Sequence, residues 1–267
     1  MSEDERMAMF DAAAPGVVYF CRGELIREGG ASRPLLSKTG CPRAEPGMAL
    51  CVYCGTREGN TKDHAPPRCM FPPGAKRLNL VTVPACEACH KELGKDDEFM
   101  KVALVLPAEA YSTPLGRSLW ENVVHESTLR KNARLRRELQ ERLDLFPNPE
   151  GGLAYGVPIE AEKIHAFAVR LVKALTWEEY KEVLPPGTEF SFFWQDPNQI
   201  LEILPARFFQ ISRLRAVGDE GVFVYRCARD ESDGAIFVWV LGFWGGTVTF
   251  LVFADTRGEM RKGNVRL

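Results

Sequence analysis

Two Cys-x-x-Cys pairs, Cys51/Cys54 and Cys86/Cys89, enclose an Asp63-His64 pair and Asn79, and His90 follows directly on the last cysteine. A structural Zn²⁺ takes four ligands in a tetrahedron, and four thiolates meet that need with no open position. Two residues between cysteines let one knuckle present both sulfurs to the same ion. The metal would then clamp the ends of a segment too small to hold a core alone. A redox motif needs only one such pair, so the second pair weighs against it. Asp63 and His90 offer one oxygen and one nitrogen, an incomplete ligand set that leaves room for waters and a phosphate. A divalent ion there can neutralise charge on a phosphoryl transition state, and a neutral imidazole such as His64 can take the proton of an attacking water. The chemistry this set suits is phosphodiester hydrolysis.

The elements that must position these groups follow from local composition. Asp63-His64 ends a short extended segment stopped by Pro66 and Pro67. In a regular strand neighbouring side chains point to opposite faces, so both reach one cleft only at a strand end or bend. Asn79 to Val83 is apolar and β-branched and predicts a second strand. Cys86 to Gly94 has helical composition. The expected order is strand, loop, strand, helix, with the cysteines fixing the helix start and the helix carrying His90 toward the strands.

Residues 1–46 are rich in Gly, Pro and Ala and predict a weakly structured leader with one short strand at Gly16 to Cys21. No function is assigned to Cys21 or Cys41, and Cys69 reads as a small buried hydrophobe. Residues 97–145 read as helical, with Leu135, Leu139 and Leu143 on one apolar face. Asn148 to Gly152 is a breaker and a candidate boundary. Ile164, Phe167, Ala168, Leu171 and Leu175 mark another amphipathic helix. Gly221 to Cys227, Ala235 to Phe243 and Thr247 to Ala254 read as strands, with turns at Asp233-Gly234 and Gly245-Gly246. The predicted class is α+β: a leader (1–46), a zinc-stabilised module with following helices (47–147), and an α+β domain carrying an antiparallel sheet (153–267).

With 45% hydrophobic and 26% charged residues and a net charge of -2, the 267-residue chain reads as an ordinary globular protein rather than a polycation. Contact with nucleic acid must come from a local patch. The apolar stretch from Ala235 to Phe253 is broken by glycines and alternates, so no membrane span is read there. Without a secretory signal, and with cysteines in metal spacing, a reducing cytoplasmic location is expected.

Cys51-Val-Tyr-Cys54-Gly, Asp63-His64-Ala-Pro-Pro67, Asn79 and Val83-Pro-Ala-Cys86-Glu-Ala-Cys89-His90 together resemble the HNH endonuclease family, in the subset with a zinc-bound ββα-metal core. His64, Asn79 and His90 spell the motif in order, in register with the cysteine frame. The resemblance implies a nuclease that cuts DNA rather than RNA and leaves a 5′-phosphate and a 3′-hydroxyl. It implies His64 as general base, Asp63 and His90 as ligands of the catalytic ion, and Asn79 as an orienter that is not a ligand. Many members carry Asn where this chain has His90. Imidazole suits transition metals, which moves the expected catalytic ion from Mg²⁺ toward Mn²⁺, Ni²⁺ or Zn²⁺.

Lys91 and Lys95 after the motif are candidate phosphate contacts, although exposed helix lysines are common. Arg130, Arg134 and Arg137 share a helix face opposite the leucines, and a basic face can neutralise phosphates. Glu138 and Glu141 make the same face readable as a plain solvated surface. The cluster Arg257, Arg261, Lys262 and Arg266 is equally ambiguous. The C-terminal aromatics read as core, with Trp239 and Trp244 as an alternative ligand or partner surface. His125 and His165 are given no site role. The competing expectation is a non-catalytic zinc module that binds nucleic acid or protein. A third is a nuclease whose C-terminal domain receives a regulatory ligand or protein.

Overall fold

The computed structural model describes residues 26–27, 49–147, 153–195, 197–218, 221–230 and 234–258. The element order is β1 (Ile26–Arg27), β2 (Thr61–Ala65), β3 (Val81–Ala85), α1 (Glu87–Leu93), α2 (Asp97–Val105), α3 (Ala108–Ser112) and α4 (Pro114–Leu119). A π-helical segment (Trp120–Leu129) follows, then α5 (Ala133–Glu141), β4 (Asp144–Pro147), β5 (Leu153–Gly156) and α6 (Ala161–Tyr180). The chain continues with β6 (Glu189–Gln195), α7 (Pro197–Ile203), α8 (Ala206–Ile211), β7 (Arg215–Val217), β8 (Phe223–Arg229), β9 (Ile236–Phe243) and β10 (Val248–Asp255). The class is α+β.

β2 and β3 form an antiparallel hairpin in which His64 opposes Thr82 and Asp63 opposes Val83. α1 follows directly, which gives the expected strand, strand, helix order. β3 starts at Val81 rather than Asn79, because Asn79 has a φ of 53°, a left-handed conformation that no strand accommodates. The helical stretch from 97 onward is broken where Pro107 and Pro114 fall. Thr113 caps α4 by accepting from the Gly116 amide, with Pro114 at the first helical position, and Asn132 caps α5 through the Leu135 amide.

The large sheet is antiparallel throughout, in the order β1-β6-β10-β9-β8-β7. β10 is buried at every position, as a strand must be when both faces of its sheet are covered. Phe237, Trp239, Leu241 and Phe243 of β9 face the main core, on the side of α6. Val238, Leu251 and Phe253 face a smaller cluster with Ile200 of α7, Phe208 of α8 and Leu204 between them. The aromatic alternation is therefore core, and Trp239 and Trp244 are fully buried rather than a ligand surface. The β9–β10 turn runs through Trp244, Gly245 and Gly246, all at positive φ.

α6 is buried on most of its circumference and packs against both the β2–β3 hairpin and the large sheet. One core runs from Cys51 to Ala254 through this helix. β4 pairs with β5 across the predicted boundary, whose residues 148–152 lie outside the described residues. Cys21, Cys41, the strand expected at Gly16 to Cys21, Asp233, and Arg261, Lys262 and Arg266 also lie outside them. No helix among the described residues is long and apolar enough to cross a membrane.

Candidate metal centre and hydrolytic site

The sulfurs of Cys51, Cys54, Cys86 and Cys89 all lie within 4.8 Å of one another. Thiolates bound tetrahedrally at about 2.3 Å from zinc stand roughly 3.8 Å apart, so side-chain adjustment alone brings the four onto one ion such as zinc. The first knuckle is held by the Gly55 amide on the Cys51 carbonyl and by the Val52 amide on the Pro84 carbonyl, which ties it to β3. Gly55 has a φ of 65°, a turn conformation that favours glycine. The second knuckle is the start of α1, where Cys86 Sγ accepts from the Cys89 amide. Crowded thiols resist sharing charge. Hydrogen bonds with Cys51 and Cys89 hold the Cys54 thiol low, while those with Cys51 and Cys54 push Cys89 up. Cys51 is raised to about 11, chiefly by its bond with Cys54.

Asp63 is buried at the middle of β2. Its Oδ2 accepts from Tyr53 Oη at 2.6 Å and from Arg170 Nη2 at 2.9 Å. Its Oδ1 accepts from the His64 amide at 2.9 Å and lies 4.0 Å from His90 Nε2. Burial alone would raise this carboxyl, but the Arg170 charge and the Tyr53 hydroxyl outweigh it and hold Asp63 below the usual carboxylate value. Arg170 also donates to Asp97 Oδ1 and to the Leu93 carbonyl. Burial would weaken its charge, yet two carboxylates keep the guanidinium protonated. Asp97 goes the other way, because its burial outweighs the same cation. With both carboxylates ionised, Asp63, Asp97 and Arg170 sum to one negative charge.

His64 Nδ1 lies 3.1 Å from Thr82 Oγ1, its partner across the hairpin. Its pKa is lowered from 6.5, first by partial burial and then by the Arg68 cation, against the opposing pull of Asp63. His90 also acts on its charge, which puts the two imidazoles within electrostatic reach of each other, although His64 pairs with exposed Thr82 toward one end of the hairpin and His90 meets Thr61 at the other. β2 ends one residue after His64, at the Ala65-Pro66 bond. The His90 ring is fixed by Nδ1 at 3.2 Å from Thr61 Oγ1, which leaves Nε2 toward Asp63.

The structure thus brings the four cysteines together and sets Asp63 beside His90, with the His64 ring paired to Thr82 and within electrostatic reach of both. Asn79 lies exposed in the turn before β3, and its side chain makes no hydrogen bond among the described residues. The hydrogen-bond partner of the His64 ring is Thr82 Oγ1 instead. Lys91 is exposed, and Lys95 pairs with Glu92 at 2.6 Å. Arg130 pairs with Glu126, and Arg137 is exposed on α5. His165 packs edge-on against Phe192, and His125 contacts Glu126. The Cys69 thiol is raised to about 12 by burial, as fits a small hydrophobe.

Four contributors escape the motif: Tyr53, Arg68, Arg170 and Lys173. Lys173 Nζ donates to the Tyr53 carbonyl at 2.9 Å and interacts with the Cys89, Cys54 and Cys51 sulfurs. Burial lowers its pKa, and the sulfurs oppose that shift. Arg170 and Lys173 sit one turn apart on α6, so this helix supplies a cation to each half of the site. The available sequence signal was a pair of charges interrupting an otherwise apolar helix. Searches of protein-family models, curated proteins and solved structures find no match to this chain.

Proposed function

We propose that this chain is a metal-dependent endonuclease of the HNH type that hydrolyses phosphodiester bonds of DNA. The observation that carries the reading is Asp63 Oδ1 facing His90 Nε2 across 4.0 Å. Two donors that each sit about 2.1 Å from one ion are at most roughly 4.2 Å apart, so this gap fits a single divalent cation. Asp63 Oδ2 is saturated by Tyr53 and Arg170, which fixes the carboxylate and leaves Oδ1 directed at His90. Such outer partners are what orient a metal-binding carboxylate. The residual negative charge of the Asp63–Arg170–Asp97 group also favours a cation. Mg²⁺, Mn²⁺ or Ni²⁺ bound there would neutralise charge on the phosphate oxygens. Zn²⁺ in the four-cysteine site holds α1, and hence His90, against the hairpin.

The proton chemistry falls to His64. With Nδ1–H donated to Thr82 Oγ1, Nε2 keeps its lone pair and accepts the proton of the attacking water. A pKa below 6.5 keeps that nitrogen unprotonated at neutral pH. The acidic limb of kcat/KM set by His64 is therefore expected below pH 6.5, with rate lost as pH falls through it, and a pH profile on a labelled duplex checks this. His64→Ala is expected to lower kcat by about 10²- to 10⁴-fold with the melting temperature unchanged. Wild-type activity in that variant would remove His64 as the base. Free cysteines at all described positions suit a reducing compartment, and we place the protein in the cytoplasm.

One observation favours a second reading. Asp63 and Arg170 form a satisfied buried ion pair, an arrangement that also serves structure alone. A non-catalytic zinc module would keep the cysteines and this pair and be indifferent to His64→Ala in every assay.

A further inference from the structure

A cleft of about 590 Å³ opens between α2, the π-helical segment and α5. It is lined by Glu98 and Lys101 from α2, Ser127 and Thr128 from the π-helical segment, and Lys131 and Arg134 around the start of α5. Lys101 is 4% exposed and Thr128 5%. Among the described residues neither side chain makes a hydrogen bond or ion pair. Neither polar atom is fully enclosed, so the access they keep opens on the cleft that they line. A recessed ammonium with no protein partner reaches solvent only through the cleft, so an anion seated there would be its natural counter-charge. Lys131 and Arg134 are exposed at the rim. The one carboxylate, Glu98, is already engaged by Asn132 Nδ2 at 3.0 Å. Three cations and two hydroxyls converge on one space.

We propose that this cleft binds a phosphate group, with Lys101 and Thr128 at its base and Lys131 and Arg134 closing over the outer oxygens. A tetrahedral anion with several acceptor oxygens matches donors arriving from three elements, and Arg with Lys is the usual pairing for it. π-helical insertions recur at functional sites because they re-aim side chains. Here the insertion turns Ser127 and Thr128 to the cleft. The phosphate can belong to a polynucleotide backbone or to a free mononucleotide. The volume suits either, since small-ligand sites run from roughly 300 to 1,000 Å³. The proposal does not depend on catalysis at His64.

The test uses the full chain, zinc-loaded and without other divalent metals. Binding of AMP is followed by calorimetry, and binding of a fluorescein-labelled 12-nucleotide single strand by anisotropy. Wild type is compared with Lys101→Met and with the surface double variant Lys131→Gln/Arg134→Gln. Lys101→Met is expected to weaken binding about tenfold or more while the melting temperature holds, since no hydrogen bond or ion pair to the protein is removed. Weakening of both probes, or of AMP alone, supports the proposal with a free nucleotide as an occupant. Weakening of the oligonucleotide alone supports it with a polynucleotide backbone as the source. If Lys101→Met does not fold, the double variant decides on the same readout. Neither probe binding, or both binding each variant as tightly as wild type, overturns it.

Discussion

Removing one ligand of the four-cysteine site, as in Cys86→Ser, is expected to abolish zinc binding and unfold the segment that carries Asp63, His64 and His90. Metal binding by a site of this kind is itself folding free energy, on the order of 10 kcal/mol for small zinc modules. A whole domain is stable by only about 5–15 kcal/mol. The Cys51–Cys54 knuckle is tied to β3, and Cys86 caps α1. Losing the metal therefore frees the knuckle, the hairpin end and the helix start together. α6 then loses the surface that Arg170 and Lys173 hold. The readouts are zinc content per chain, expected to fall from one to none, and the melting temperature. A Cys86→Ser protein with unchanged zinc and melting temperature would show that the cysteines are not a metal site.

Arg170→Met is expected to be nearly as damaging, although Arg170 lies 107 residues from Asp63 in sequence. The variant leaves two carboxylates, one of them deeply buried, facing each other without their cation. Breaking a buried ion pair from one side costs about 3–5 kcal/mol, which for a chain of this size is on the order of 10 °C in melting temperature. The pH dependence fixes the cause. In the wild type the Asp63 pKa is depressed below 3.8, so its contribution is present above 3.8 and is lost as pH falls through the lower folded value. In the variant burial is opposed only by the Tyr53 hydroxyl and the His64 amide, so that pKa moves up, and the protein loses most at neutral pH and less in acid. The gap in stability between the two proteins should therefore narrow as pH drops toward 4. A constant gap would make Arg170 a packing residue rather than the counter-ion of Asp63. Arg170→Lys keeps the charge without the fork and should recover part of the loss.

These two positions show how far the sequence carried the reading. The clustering of the four cysteines was legible because a metal site needs fixed residue types at short spacing, the approach of Asp63 to His90 because both lie in the same short motif, and the hairpin and α1 follow within forty residues. The leucines of α5, the apolar face of α6 and the strands β8 to β10 were legible through period. Arg170 and Lys173 were not, because a cation on an amphipathic helix looks solvated until the element that covers it is known. Lys101 was hidden for the same reason, since its burial depends on the π-helical segment folding over α2. Asn79 is instructive in the opposite sense. Its identity fitted a side-chain role, yet its left-handed backbone and exposed side chain make it a turn residue in this structure, with Thr82 holding the His64 ring.

The central claim is that Asp63, His64 and His90 hydrolyse phosphodiesters with a divalent ion. Its most direct test is nicking of supercoiled plasmid by the zinc-loaded full chain. The reaction is run without added metal and then with Mg²⁺, Mn²⁺ or Ni²⁺, for wild type and His64→Ala side by side. Nicking by the wild type is expected only with an added divalent ion, strongest with Mn²⁺ or Ni²⁺ as the imidazole of His90 favours, and nearly none by His64→Ala. No nicking by a folded, zinc-loaded wild type with any of the three ions, or equal nicking by both proteins, would contradict it.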